Sequence, residues 1–200
     1  MRARAVKAAD GSSPHADRHR RGRAAAEWTV VVALAVLVAI GIRTYAFEAF
    51  FVPSASMEPT LEIGDRIFVQ KLLFNWHDLH DGDIVVFARP AADTMCVVPG
   101  QNDLVKRVIA LPGQSVYSSG NNVFVDGRKL SEPYVTEPLG APVASRRHPF
   151  RVPAGELYVM GDNRSDSCDS RSWGPIRGSS VVGRAVLLWW HNGHPDLHVF

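Results

Sequence analysis

Phe50-Phe-Val-Pro-Ser-Ala-Ser-Met-Glu-Pro-Thr-Leu61, with Gly64-Asp65 just beyond it, decides how the chain is read. A short apolar run ends at Pro53. Pro59 biases Glu58 toward an extended backbone. The stretch therefore predicts a strand running into a tight turn that presents Ser56 at the edge of a β-barrel. A serine hydroxyl is a poor nucleophile until a base takes its proton. The nearest plausible base is Lys106, in Asp103-Leu-Val-Lys-Arg-Val-Ile-Ala-Leu-Pro-Gly113. By period two, Leu104, Lys106 and Val108 share one face of a strand. If that face packs inward, the ammonium loses its water and its pKa falls. A neutral lysine is a competent base and a protonated one is not. The ordinary alternative is a lysine whose stem lies on the surface and whose head stays wet.

Working outward, the chain after Glu48 has strand character. Arg66–Lys71, Asp83–Ala88, Asp103–Ala110, Gly155–Gly161 and Val181–Trp190 read as strands, and Asn122–Asp126 with Arg128–Leu130 as a hairpin about Gly127. Several short strands with frequent turns predict an all-β barrel or sandwich. Residues 133–153, rich in Pro and polar residues, read as a surface excursion within an insertion spanning about 114–153.

Before Glu48 the pattern changes. Residues 1–27 hold seven Lys or Arg against three acids, although the whole chain carries only +2. Basic charge confined to one end is not the footprint of a nucleic-acid-binding domain. This segment has no hydrophobic periodicity and reads as a disordered tail. Trp28–Ile42 is an unbroken apolar run of 15 residues. With Arg43 snorkelling and 44–47 completing the crossing, 28–47 reaches about the 20 residues a bilayer core requires. The positive-inside rule then leaves the N-terminus cytoplasmic and residues 48–200 outside. A cleaved signal peptide ending near Ala46 and a buried core helix are the competing readings.

A third polar stretch, Met160-Gly-Asp-Asn-Arg-Ser-Asp-Ser-Cys-Asp-Ser-Arg-Ser-Trp-Gly-Pro175, follows a strand and predicts a tight loop rich in side-chain-to-backbone bonds. Asp169 is placed to pair with Arg171, and Asp162 with Arg107. Ser-x-Ser-Met-x-Pro-Thr-Leu, Gly-Asp-Ile-Val-Val-Phe, Val-Lys-Arg-Val-Ile-Ala-Leu-Pro-Gly and Gly-Asp-Asn-Arg-x-x-Ser-x-Asp-Ser-Arg occur in that order behind one apolar anchor. Together they resemble the bacterial type I signal peptidases, membrane-anchored serine proteases of family S26.

The resemblance implies a β-barrel of the kind shared by LexA-type repressors and signal peptidases, behind a single N-terminal transmembrane helix. It implies Ser56 as nucleophile, Lys106 as general base, and Ser54 with the Ser56 N–H as oxyanion hole. It implies that Ser167 orients the lysine and that Asp169–Arg171 is a structural ion pair. Shallow substrate pockets for small side chains at −3 and −1 would draw on Phe50, Val52, Pro53, Leu61, Ile67, Val85, Asp103, Leu104 and Val105. An extended peptide would add as a strand between Phe50–Pro53 and Asp103–Val105. The implied partners are signal-peptide-bearing preproteins and the lipid bilayer, with no nucleic acid and no cofactor, and the chain is expected to be a monomer.

Two departures stand out. Ala55 replaces the glycine often found between the serines, which is tolerable if its φ is negative. Cys168 stands next to Ser167 and forms either a disulfide with Cys96, in an oxidising compartment, or a free pair. His77, His80, His191 and His194 lack a third ligand, so no metal site is expected. Trp189-Trp190 either packs in the core or dips into the membrane. A self-cleaving Ser-Lys peptidase of the LexA type and an inactive peptide-binding β-domain are the rival functions.

Overall fold

The computed structural model describes residues 28–38, 40–41, 47–71, 74–96, 100–191 and 193–200. The chain divides into two compact units, Met1–Thr44 and Tyr45–Phe200. In the first, residues 28–38 and 40–41 are helical and expose large apolar side chains such as Trp28, Leu34 and Leu37. Among the described residues, no helix is long and apolar enough to cross a membrane. The basic tail and positions 39 and 42–46 of the expected span lie outside the described residues. Phe47, taken as the last residue of that span, belongs instead to a strand.

The second unit is all-β. Its larger sheet contains β1 (Phe47–Phe51), β2 (Arg66–Gln70), β3 (Ile84–Ala88), β4 (Asp103–Ala110), β9 (Glu156–Met160), β10 (Ile176–Arg177), β11 (Val181–His191) and β12 (His194–Val199). The order is β1-β2-β11-β3-β4-β9-β10, with β12 also on β11, and every pairing is antiparallel. The sheet curls into a half-barrel, consistent with the all-β fold expected. Irregularities in the β11 register with β2, between Ala185 and Leu187 and between Leu188 and Trp190, supply local bends of the kind that curl a sheet.

A smaller sheet, β7-β6-β5-β8, fills the insertion: β5 (Ser115–Ser119), β6 (Asn122–Val125), β7 (Arg128–Lys129) and β8 (Phe150–Arg151). The β6–β7 hairpin turns at Asp126-Gly127, both with positive φ (49° and 78°), as a tight hairpin turn requires. The excursion at 133–153 is anchored by β8, which pairs with β5.

Three apolar clusters form the core, and β3 feeds two of them. Ile84 and Val86 point to one face, with Val52, Met57, Leu61, Ile67 and Leu188. Val85 and Phe87 point to the other, with Leu104, Val108, Val159 and Ile176. A strand buried on both faces reads as an unbroken apolar run, which is what Ile-Val-Val-Phe-Ala is. At the C-terminal end, Trp189 stacks on Phe68 with ring centroids 5.6 Å apart. The Arg66 guanidinium lies 5.7 Å from the Trp189 ring and 5.8 Å from the Trp190 ring.

Candidate active site

The serine turn is held from beneath. Ala55–Met57 form a single 3₁₀ turn, and Met57 is driven into the first core cluster. Glu58 is extended, and the Glu58–Pro59 bond is cis. Ala55 is not among the residues with positive φ, so its methyl group is accommodated where glycine is frequent. Asn163 holds the turn from above: its Nδ2 donates to the Ala55 carbonyl at 3.3 Å and its backbone N–H to the Ser56 carbonyl at 3.2 Å. Ser54 Oγ lies 3.3 Å from Ser56 Oγ.

Lys106 reaches this turn from the middle of β4. Its Nζ lies 2.6 Å from Ser56 Oγ and donates to the Val105 carbonyl at 3.0 Å. The residue is only 4 % exposed, between Leu104 and Val108 on its own strand. Burial lowers its pKa from 10.5 to about 8, against the opposing pull of the Asp169 and Asp162 carboxylates and with help from the Arg89 charge. The folded state thus disfavours the lysine's proton. Between pH 8 and 10.5 the unfolded chain binds more protons than the folded one, so stability rises with pH there. Below about pH 8 both states are protonated and the full cost is present. Lys106→Met keeps the stem and removes the charge. It is expected to raise unfolding stability at pH 7 by up to about 3 kcal/mol, a gain that fades as pH approaches 10.5; urea titrations at several pH values measure it.

The polar loop after β9 braces both residues. Asp162, 1 % exposed, accepts from Arg107 Nε at 2.8 Å and Nη2 at 2.6 Å, and Arg107 Nη1 donates to the Gly82 carbonyl at 2.7 Å. The Tyr134 ring covers the Arg107 guanidinium at 3.9 Å. Asp169 is fully buried and accepts from Arg171 Nε at 2.8 Å, Arg171 Nη2 at 2.6 Å and the Gly161 N–H at 3.0 Å. Removing one partner from such a buried pair strands the other's charge.

Sequence reasoning passed over Gly161, Asn163 and Arg164. A Cβ on Gly161 would collide with the Ser56 carbonyl and Ser167 Oγ, so only glycine lets the loop press against the nucleophile turn. Arg164 is buried, donates from Nε to the Gly161 carbonyl at 2.9 Å and pairs with Glu132. Glycine in a Gly-Asp-Asn-Arg string after a strand was the available signal. Ser167 is brought beside this turn, but its buried Oγ has no hydrogen-bond partner among the described residues; the lysine's hydrogen bonds go to Ser56 and Val105. Cys96 and Cys168 are joined in a disulfide with Cα atoms 6.3 Å apart.

Two clefts meet at Ser56 and Lys106. The first, about 470 Å³, is lined by Phe50, Val52, Pro53, Val86, Asp103 and Val105, among others. Leu104 lines the second. Three nominated pocket residues line neither. Val85 faces the second core cluster, and its neighbour Val86 takes the cleft position, because alternate residues of β3 face opposite ways. Leu61 and Ile67 are fully buried in the core beneath the first cleft's walls. The histidines weighed as metal ligands are dispersed. The His77 ring lies tilted against Trp76, His80 lies 3.9 Å from Asp83, and His191 Nδ1 lies 3.0 Å from both carboxylate oxygens of buried Asp65.

Residues 25–190 match the family model described as signal peptidase, peptidase S26. The chain is 37% identical over 180 residues to a signal peptidase I of Leptolyngbya laminosa, covering 90% of this chain and 86% of that one. It is 41% identical over 156 residues to a probable signal peptidase I-2 of Synechocystis, covering 78% and 69%. It is 35% identical over 170 residues to signal peptidase I T of Bacillus subtilis, covering 82% and 84%.

Proposed function

This chain belongs to the signal peptidase family, peptidase S26, and is a serine endopeptidase; from that premise we propose that it removes signal peptides from exported preproteins with a Ser56–Lys106 dyad. The observation that carries the proposal is the 2.6 Å separation of Lys106 Nζ and Ser56 Oγ, with the amine dry enough to hold its pKa near 8.

The chemistry follows from that pair. Neutral Lys106 takes the Ser56 proton as Oγ bonds to the carbonyl carbon of the scissile peptide. The negative charge moves to the carbonyl oxygen, where the Ser56 N–H and the Ser54 hydroxyl serve as donors. Lys106 then gives its proton to the leaving amine, the C–N bond breaks, and the signal peptide is left as an ester on Ser56. Water attacks that ester with Lys106 accepting its proton; the C–Oγ bond then breaks, Lys106 passes the proton to Ser56 Oγ, and the acid leaves. Asp162–Arg107 and Asp169–Arg171 hold the frame. Ser167, beside the Ser56 carbonyl, is assigned to positioning the lysine when substrate fills the site.

The first cleft receives the substrate's −1 and −3 side chains. Its apolar walls and modest volume suit small groups, and the peptide extends beside Phe50–Pro53 and Asp103–Val105. The apolar segment that begins at Trp28 and ends before β1 serves as a single anchor with the basic tail in the cytoplasm, which leaves the β-domain outside, where the Cys96–Cys168 disulfide is stable. A precursor with alanine at −3 and −1, incubated with the full chain in lipid vesicles, is expected to be cut after the −1 residue. Replacing the −1 alanine with leucine is expected to slow cleavage by about 100-fold or more, because added bulk has no room beside the reacting carbonyl. Equal rates on both precursors would contradict the specificity.

A further inference from the structure

The cleavage chemistry uses the first cleft for residues upstream of the cut and leaves the second unassigned. The two share Ser54, Ser56, Gln101 and Lys106. Asp103 and Val105 line the first and Leu104 the second, and both clefts reach Ser56 and Lys106. A peptide with its scissile bond at Ser56 and its −1 and −3 side chains in the first cleft therefore sends its downstream residues toward the second.

The second cleft, about 400 Å³, is walled in part by a hydrogen-bonded cluster around Arg89 and Asp93. Arg89 Nε donates to the Gln101 carbonyl at 3.1 Å, and Nη1 donates to the Cys96 carbonyl at 3.0 Å and to the Asp93 carboxylate. The Cys96 N–H donates to Asp93 Oδ1 at 3.1 Å. The disulfide then ties this segment to Cys168 in the loop that braces Ser56.

Within that bracing two donors are left over. Among the described residues, Arg89 Nη2 and Trp173 Nε1 are buried without a hydrogen-bond partner, and both residues line this cleft. Buried donors in folded proteins are nearly always paired, so two unpaired ones beside a nucleophile mark where an acceptor is missing. Asp93 and Asp166 offset the Arg89 charge, so a neutral acceptor, a main-chain carbonyl or a side-chain amide, suits the cleft better than a carboxylate.

We infer that the second cleft binds the segment immediately downstream of the cleaved bond, with Arg89 and Trp173 donating to its neutral oxygen acceptors and the disulfide-braced wall holding them in place. This rests on Ser56 being the nucleophile.

The test compares two substrates on the full chain. One extends several residues past the cut, and the other ends at the cut in a small chromogenic amide. The parent is expected to favour the extended substrate in kcat/KM by about tenfold. Arg89→Gln and Trp173→Phe are each expected to reduce that preference at least about threefold, the latter by removing the indole N–H along with part of the ring. Met95→Trp, at a residue 78 % exposed and so tolerant of change, is expected to reduce it by filling the cleft. Preference unchanged in all three variants, or both substrates slowing in parallel, overturns the inference. A purely electrostatic action of Arg89 on Lys106 would displace the pH profile equally for both substrates and leave the preference intact, which also overturns it for Arg89. Cleavage of the short substrate by Ser56→Ala would instead sink the catalytic assignment, an outcome separate from the preference.

Discussion

Lys106→Ala and Ser56→Ala are each expected to lower kcat on a precursor by on the order of 10⁵-fold, with the double variant no slower than either alone. The two groups act on one proton. Without the amine nothing accepts it, and without the hydroxyl there is none to transfer, so the losses do not add. The residual rate over water comes from substrate binding and the oxyanion donors. Lys106→Ala also empties space beside Leu104 and Val108, so slow cleavage alone would not distinguish chemistry from damaged packing. Lys106→Met separates the two, since it fills the space and is expected to be equally inactive yet more stable at neutral pH. Activity within tenfold of the parent in either single variant would remove the dyad from the mechanism.

Acidity is expected to have the next largest effect. A base with a pKa near 8 is half neutral at that pH. Each unit below leaves roughly a tenth as much neutral amine, so kcat/KM is expected to fall about 1,000-fold between its alkaline plateau and pH 5. The sign follows from the cause: burial disfavours the charged form, and that form is the inactive one. Initial rates in buffers from pH 5 to 10 give the profile. A limb centred near pH 6 would point to a histidine, and a flat profile to a step that needs no base.

Much of this site was legible in the sequence because its parts are local. The serine turn is bounded by Pro53 and Pro59, and Lys106 interrupts an apolar strand on the face it shares with Leu104 and Val108. The opposite charges of Asp169 and Arg171 in the polar loop, and of Asp162 there and Arg107 beside Lys106, pointed to both ion pairs. What stayed hidden depends on tertiary placement. Ile84–Ala88 is apolar on both faces, so nothing in the string tells Val85, in the core, from Val86, in the cleft. Leu61 and Ile67 have the right chemistry for a pocket but sit one layer beneath it. Gly161 matters because of what presses on it from residues 56 and 167, a contact no local pattern encodes. β12 escaped because Pro195 argues against a central strand; it is an exposed strand paired only with β11, where proline is tolerated. The Cys96–Cys168 bond needed two loops to be placed before one of two open readings could be chosen.

Burial lowers the Lys106 pKa to about 8 within reach of Ser56, and every step of the cleavage depends on it. Titrating the ¹³Cε resonance of Lys106 in the Ser56→Ala protein, which cannot turn over substrate, measures this directly. A midpoint near pH 8 is the predicted result, and a midpoint at the ordinary lysine value of 10.5 would contradict it.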